Sequence, residues 1–148
     1  MIVGGVDPGN RASGLVVLQV TEKKLLSHLV VRHPPDADRY VHEVEAVLAQ
    51  LPHFPSLWAI EVPPPSSLRT ALFAGVWLGL LGTKAQKVWL MTATRVRALV
   101  FGNARLTAAQ RRRLLLEEGF PDGLSAHEYD ALSAAYAGYL LMRSPHAG

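Results

Sequence analysis

Apolar and polar positions change their period several times along this 148-residue chain. Residues 2–6 (IVGGV), 14–20 (GLVVLQV) and 25–32 (LLSHLVVR) are short apolar runs joined by polar turns. Links this short suit antiparallel hairpins and are too brief for parallel crossovers, so three consecutive hairpin strands are expected. Over residues 36–51 the period lengthens, and Tyr40, Val44, Val47, Leu48 and Leu51 fall on one face of an amphipathic helix. Residues 57–62 (LWAIEV), preceded by Pro55, read as a fourth strand. After the PPPSS break, residues 68–81 read as an apolar, buried helix. Its Gly75-x-x-x-Gly79 spacing would let another backbone come close.

Residues 87–91 (KVWLM) predict a fifth strand, and Thr92 or Thr94 can cap a short helix ending near Leu99. Residues 102–105 turn the chain. TAAQ (107–110) and SAHE (125–128) fit capping boxes, which open a basic helix to about Glu118 and a closing helix to about Met142. Hairpin strands followed by alternating helices and strands describe a three-layer α/β domain with a mixed sheet. One domain is expected over residues 1–143, with residues 144–148 as a frayed tail. In open sheets of this kind, ligands gather at the carboxyl ends of strands where the strand order reverses.

Composition narrows the chemistry. A chain this long buries about 68–70% of its unfolded surface, enough for one core. With no cysteine, disulfides, thiolate metal sites and cysteine nucleophiles are excluded. The N-terminus has no signal-peptide pattern and the apolar run at 71–82 falls short of the ~20 residues of a membrane span, so a cytoplasmic protein with no membrane partner is expected. Arginine outnumbers lysine 11 to 4, which fits a thermophilic or GC-rich source. Net charge is only +3, but no acidic residue lies between Glu61 and Glu117, and that stretch carries nine of the 15 basic residues. A one-signed run attracts a polyanion, because contacts to phosphate release condensed counterions. Arg69, Lys84, Arg97, Arg105, Arg111 and Arg112 are therefore candidate nucleic-acid contacts. Asn10 and Arg11 are either further phosphate contacts or ordinary turn residues.

The acids fall in informative places. Asp7 ends the first strand before Pro8-Gly9, Glu61 sits inside the apolar frame LWAIEV, and Asp130 lies early in the last helix, three residues after His127 and on its face. Each has an ordinary explanation by itself: a turn former, a strand-end ion pair, a helix N-terminal charge, a packed histidine. Glu128 is explained as the capping-box acid. A carboxylate in a buried strand nevertheless needs a partner or a metal. Carboxylates clustered beside a basic surface bind hard divalent cations, and two such ions about 3.5–4 Å apart suit displacement at a phosphodiester. Trp58, Trp77 and Trp89 are expected in the core. Phe101, before Gly102, is the candidate for an exposed base-stacking or dimer contact.

In order and context, VDPGNRASGLVVL, AIEV and HEYDALSAAYAG resemble the motifs of the RuvC family of Holliday-junction resolvases, over about residues 2 to 141. Asp7, Pro8, Gly9 and Gly14 match the opening motif, Ile60-Glu61 the second acid, and His127 with Asp130-Ala131 the closing one. The resemblance implies a ribonuclease H-like fold with a mixed five-stranded sheet, its first three strands antiparallel, and helices on both faces. It implies a homodimeric endonuclease using two Mg²⁺ ions, with Mn²⁺ able to substitute, and cutting opposed strands of a four-way junction. Asp7, Glu61, His127 and Asp130 would be its metal-holding catalytic residues. Branch-migration or recombination proteins would be its partners. Val96-Arg97 stands where the family has Val-Lys. The stretch 107–110 lacks the family's second lysine, leaving Arg105 or Arg111 to serve, and Pro64 replaces a stacking aromatic. The chain fits a divergent or phage-type member. Two other readings stay open: a YqgF-type nuclease acting on structured RNA or flaps, and a non-catalytic nucleic-acid-binding module.

Overall fold

The computed structural model describes residues 1–9, 11–34, 36–62 and 68–143. Expectations for Asn10, for Pro64 and for the tail at 144–148 lie outside the described residues. Ten elements follow one another: β1 (Ile2–Pro8), β2 (Ala12–Gln19), β3 (Lys24–Arg32), α1 (Ala37–Ala49), β4 (Leu57–Val62), α2 (Leu68–Gly82), β5 (Lys87–Thr92), α3 (Ala93–Phe101), α4 (Ala108–Glu117) and α5 (Ala126–Arg143). The strands form one sheet in the order β3-β2-β1-β4-β5. β1, β2 and β3 pair antiparallel, whereas β4 lies parallel to β1 and β5 parallel to β4. This is the mixed sheet that hairpins followed by helical crossovers dictate.

Strand alternation divides the interior between two faces. Val6, Leu15, Val17, Trp58 and Ile60 point to one side, against Tyr40, Val44 and Leu48 of α1 and Phe73, Trp77 and Leu81 of α2. Val3, Val16 and Leu18 point to the other, against α5 and Leu115 of α4, and Ala59 and Met91 join that side with Val96 of α3. Trp58 and Trp77 are core residues, as expected. Trp77 Nε1 donates to Tyr40 Oη at 2.6 Å, and Ser13 Oγ lies 3.1 Å from the same oxygen, tying β2, α1 and α2 together.

Two local expectations need correction. β1 does not stop at its acid: Asp7 pairs with Gly14 and Pro8 with Ser13, and the turn follows, closed by Gly9 N–H donating to Ala12 O at 2.9 Å. Pro8 is tolerated because the ladder there does not call on its missing N–H. The second concerns α2, which is buried on one side only. Phe73, Ala74, Trp77 and Leu81 are inside, but Leu68 and Leu72 are 74% and 65% exposed. Side-chain β-carbons added at Gly75 and Gly79 would meet nothing, so no backbone among the described residues uses that spacing.

The caps follow the sequence. Thr92, not Thr94, caps α3, accepting from Arg95 N–H at 3.2 Å. Thr107 and Gln110 form the reciprocal box on α4. On α5, Glu128 Oε1 accepts from Ser125 N–H at 3.0 Å, and Ser125 Oγ accepts from Glu128 N–H at 3.2 Å. Among the described residues no helix is long and apolar enough to cross a membrane.

Candidate active site

β1 and β4 run side by side with Val6 opposite Ile60, so the next residues along them are Asp7 and Glu61. Val6 and Ile60 face α1 and α2, hence both acids face α5 by alternation. From α5 comes Asp130. Asp7, Glu61 and Asp130 each offer an oxygen lying within 4.8 Å of the others. His127 joins the group through Asp7, donating from Nδ1 to Oδ2 at 3.1 Å.

Three glycines make this convergence possible. A β-carbon at Gly5 would lie 2.0 Å from Ala131 O, one at Gly14 2.2 Å from His127 O, and one at Gly9 2.7 Å from His127 Cε1. Backbone oxygen cannot yield to a methyl group at such distances. Bare backbone on β1, β2 and their turn thus lets α5 lie directly on the sheet, with His127 and Asp130 brought down to Asp7. On the far side of the first turn, Glu128 Oε2 is bonded to His28 Nδ1 of β3, which pins the start of α5 to the sheet.

Forcing three carboxylates together shows in the proton affinities of Glu61 and Asp130. Burial, a hydrogen bond with Asp7 and the charges of Asp7 and Asp130 push Glu61 up to about 9, against a smaller opposing pull from Arg97. Asp130 is also raised, by burial and then by Asp7, while Arg111, Arg97 and His127 oppose the rise. His127 is raised chiefly by its bond to Asp7, with burial working the other way. Without a counter-cation this cluster holds protons it would otherwise release. An all-carboxylate set of hard oxygens on three rigid elements fits a hard divalent cation.

The basic residues do not share one setting in the fold. Arg97 is close enough for its charge to favour the ionised forms of Glu61 and Asp130. Arg111 turns inward: its guanidinium donates to Leu106 O at 2.7 Å and lies 3.7 Å from Asp130 Oδ1, with the side chain only 11% exposed. Arg112 pairs with Asp122 and lies over the Tyr129 ring. Arg69, in the first turn of α2, lies over Phe73, and Arg105 is exposed in the α3–α4 turn. Lys84 stands at the opposite end of the sheet from the acids, beside the amino ends of β4 and β5, where Gln86 and Lys87 donate to Ser56 O. Phe101 is half-buried, packed with Leu115 and Phe120 against α5. Its apolar ring is better accommodated there than in water.

Sequence reasoning missed Gly5 as a contact position, His28 as the anchor of Glu128, and Thr70. Thr70 is buried and helps line a 220 Å³ hollow over Asp7 and Glu61. The signal for the glycines was their spacing, with Gly5 and Asp7 on one face of β1 and Gly14 opposite Asp7. Nothing local marked His28 or Thr70.

The strand order, the mixed pairing and an acidic site at the carboxyl ends of adjacent β1 and β4 define a ribonuclease H-like fold. Within that class the structure is similar to Thermus thermophilus RuvC, with a TM-score of 0.78 at 24% identity over 98% of this chain and 97% of that one. It is likewise similar to T. thermophilus RuvC in complex with a Holliday junction substrate, with a TM-score of 0.74 at 24% identity over 98% of this chain and 96% of the other. No family model matches the sequence, and no curated protein does.

Proposed function

We propose that this chain is a metal-dependent endodeoxyribonuclease that resolves four-way DNA junctions. The observation that carries the proposal is the meeting of Asp7, Glu61 and Asp130 from two strands and a helix, with Arg97 beside them. The similarity in fold to a resolvase structure that holds a junction supports the choice of substrate. The three acids would hold the divalent ions, which when bound supply Lewis acidity at the phosphodiester and an activated water. Asp7 fixes the His127 ring through its Nδ1, leaving Nε2 for an ion or a proton. Arg97 offsets charge close to the acids, and Arg69 and Arg105 lie at hand for flanking phosphates.

A four-way junction is two-fold symmetric in its strands, and paired cuts need two sites related by the same symmetry. The exposed side of α2, with Leu68, Leu72 and Leu78 beside the open Gly75 and Gly79, is an apolar surface suited to a second copy of this chain. Small residues at that spacing would let two such helices approach closely.

The test is cleavage of four-way junction, Y-fork, plain duplex and RNA-containing substrates in Mg²⁺, Mn²⁺ or EDTA, comparing wild type with Asp7→Asn. Paired nicks in the junction, dependent on metal and absent in a variant that still binds, are expected. Undiminished cutting by Asp7→Asn, or equal cutting of plain duplex, would refute the reading. Preferential cutting of flaps or RNA would move the chain to the other nuclease class.

A further inference from the structure

The acid cluster stands between two hollows. One covers Asp7 and Glu61. The other, of about 260 Å³, opens past Asp130 into the wedge between α4 and α5. Its walls include the small Ala108 and Ala109 of α4, the aliphatic Leu115 and Leu124, the aromatic Tyr129 of α5, and the Arg111 guanidinium next to Asp130. The cavity lies just below the roughly 300–1,000 Å³ of pockets that take drug-sized molecules, so it has room for one ring system and not for a whole nucleotide. Arg111 is held on two sides, by Leu106 O and by Asp130, and so presents a fixed flat cation with little entropy left to lose. Aliphatic walls and a planar guanidinium suit the faces of a π-system.

We propose that this cavity is a subsite for a single unstacked nucleobase, that of a nucleotide flanking the cleaved phosphodiester. The inference rests on the nuclease reading above and deepens it. Because Asp130 borders the cavity while belonging to the metal-holding cluster, a base seated there belongs to a nucleotide adjoining the reacting phosphate. Drawing a base out of a regular duplex costs a few kcal/mol, and the cost is least where pairing or stacking is already disturbed. The subsite therefore gives the enzyme a means of preferring branch points to plain duplex, independent of contacts to the sugar–phosphate backbone.

The experiment places 2-aminopurine, whose fluorescence is quenched by stacking, in turn at the nucleotides on either side of the mapped cleavage site. The junction is then bound by full-length protein carrying Asp7→Asn to prevent cutting. One position is expected to brighten about threefold or more relative to the free junction. Ala109→Phe and Ala108→Phe, which fill the cavity from its exposed rim, are expected to abolish that increase, with circular dichroism melts identifying any variant that has lost the fold. No brightening at either position overturns the proposal. An increase that persists in the folded, filled variants also overturns it, since it then reports opening of the junction alone. A failure of the nuclease reading would be seen separately, as wild type that neither binds nor cuts any branched substrate, and would remove this proposal with it.

Discussion

Glu61→Gln tests the electrostatics of the site without requiring a substrate. In the metal-free protein Glu61 holds its proton until about pH 9, against an ordinary value of 4.5. Between those two pH values the unfolded chain has released a proton that the folded one keeps, so stability falls as pH rises through the interval. At pH 7 the penalty is the 2.5 units between 4.5 and 7, at 1.36 kcal/mol each, or on the order of 3 kcal/mol. Glutamine has the shape of the protonated acid, can still donate toward Asp7, and never ionises. In EDTA at pH 7 the variant is expected to be more stable by about that amount, raising the melting temperature by roughly 6–12 °C in a protein of this size. Near pH 4.5 the two proteins should melt together. Saturating Mg²⁺ should narrow or reverse the gap at pH 7, because the wild type alone keeps all three carboxylates for binding. Calorimetry or denaturant titration across pH 4.5–8, with and without metal, measures all of this. A variant no more stable than wild type at pH 7 in EDTA, or a difference that does not change with pH, would refute the account of the crowded acids.

Other substitutions probe separate parts of the construction. Gly14→Ala places a methyl group against His127 O and should cost about 1–3 kcal/mol or more as α5 is displaced, with junction cutting reduced more severely than the melting temperature. Equal activity and stability would mean that α5 does not need the bare backbone. His127→Asp should retain metal-dependent cutting, since either side chain can ligate a divalent ion; complete loss with a normal fold would assign the histidine to proton transfer. The raised pKa of His127 means that its attraction to Asp7 stabilises the fold fully below the imidazole's ordinary pKa of 6.5 and fades as pH rises through the raised value. The pH dependence of stability in His127→Asn should flatten accordingly, as measured by urea midpoints. If two copies pair through the exposed side of α2, as proposed, wild type should sediment as a dimer and Leu72→Glu as a monomer with an unchanged melting profile; a monomeric wild type would refute the pairing, and a dimer that persists in the variant would place the interface elsewhere.

Much of the fold was legible because its information is local. The short apolar runs became β1 to β5, the period-3.6 run placed Tyr40, Val44 and Leu48 inside, and three capping sequences marked the helix starts at Thr92, Thr107 and Ser125. Short polar links required hairpins, and longer helical ones allowed parallel pairing, so the sheet's mixed character followed from link length. The acids could be nominated for a similar reason. A carboxylate in an apolar strand conflicts with its surroundings, and that conflict is visible without coordinates.

Side-chain direction was not legible in the same way. Arg111 and Arg112 are neighbours in one basic run, yet one turns in to Asp130 and the other pairs with Asp122 and Tyr129. Lys84 belongs to the same charge run as Arg97 but lies at the opposite end of the sheet, because α2 carries the chain from the carboxyl end of β4 back to the amino end of β5. Phe101, a candidate for an exposed stacking or dimer contact in the sequence, is half-buried and packs toward α5. The sequence by itself determined which segments become strands and helices, and which residues carry chemistry on each. Only the tertiary structure decided that Asp7, Glu61 and Asp130 meet, that Gly5, Gly9 and Gly14 clear the way for α5, and that His28 holds Glu128. Periodicity and capping are set by a residue's near neighbours. Contact between residues far apart in the chain, such as Asp7 and Asp130, is set by how whole faces pack.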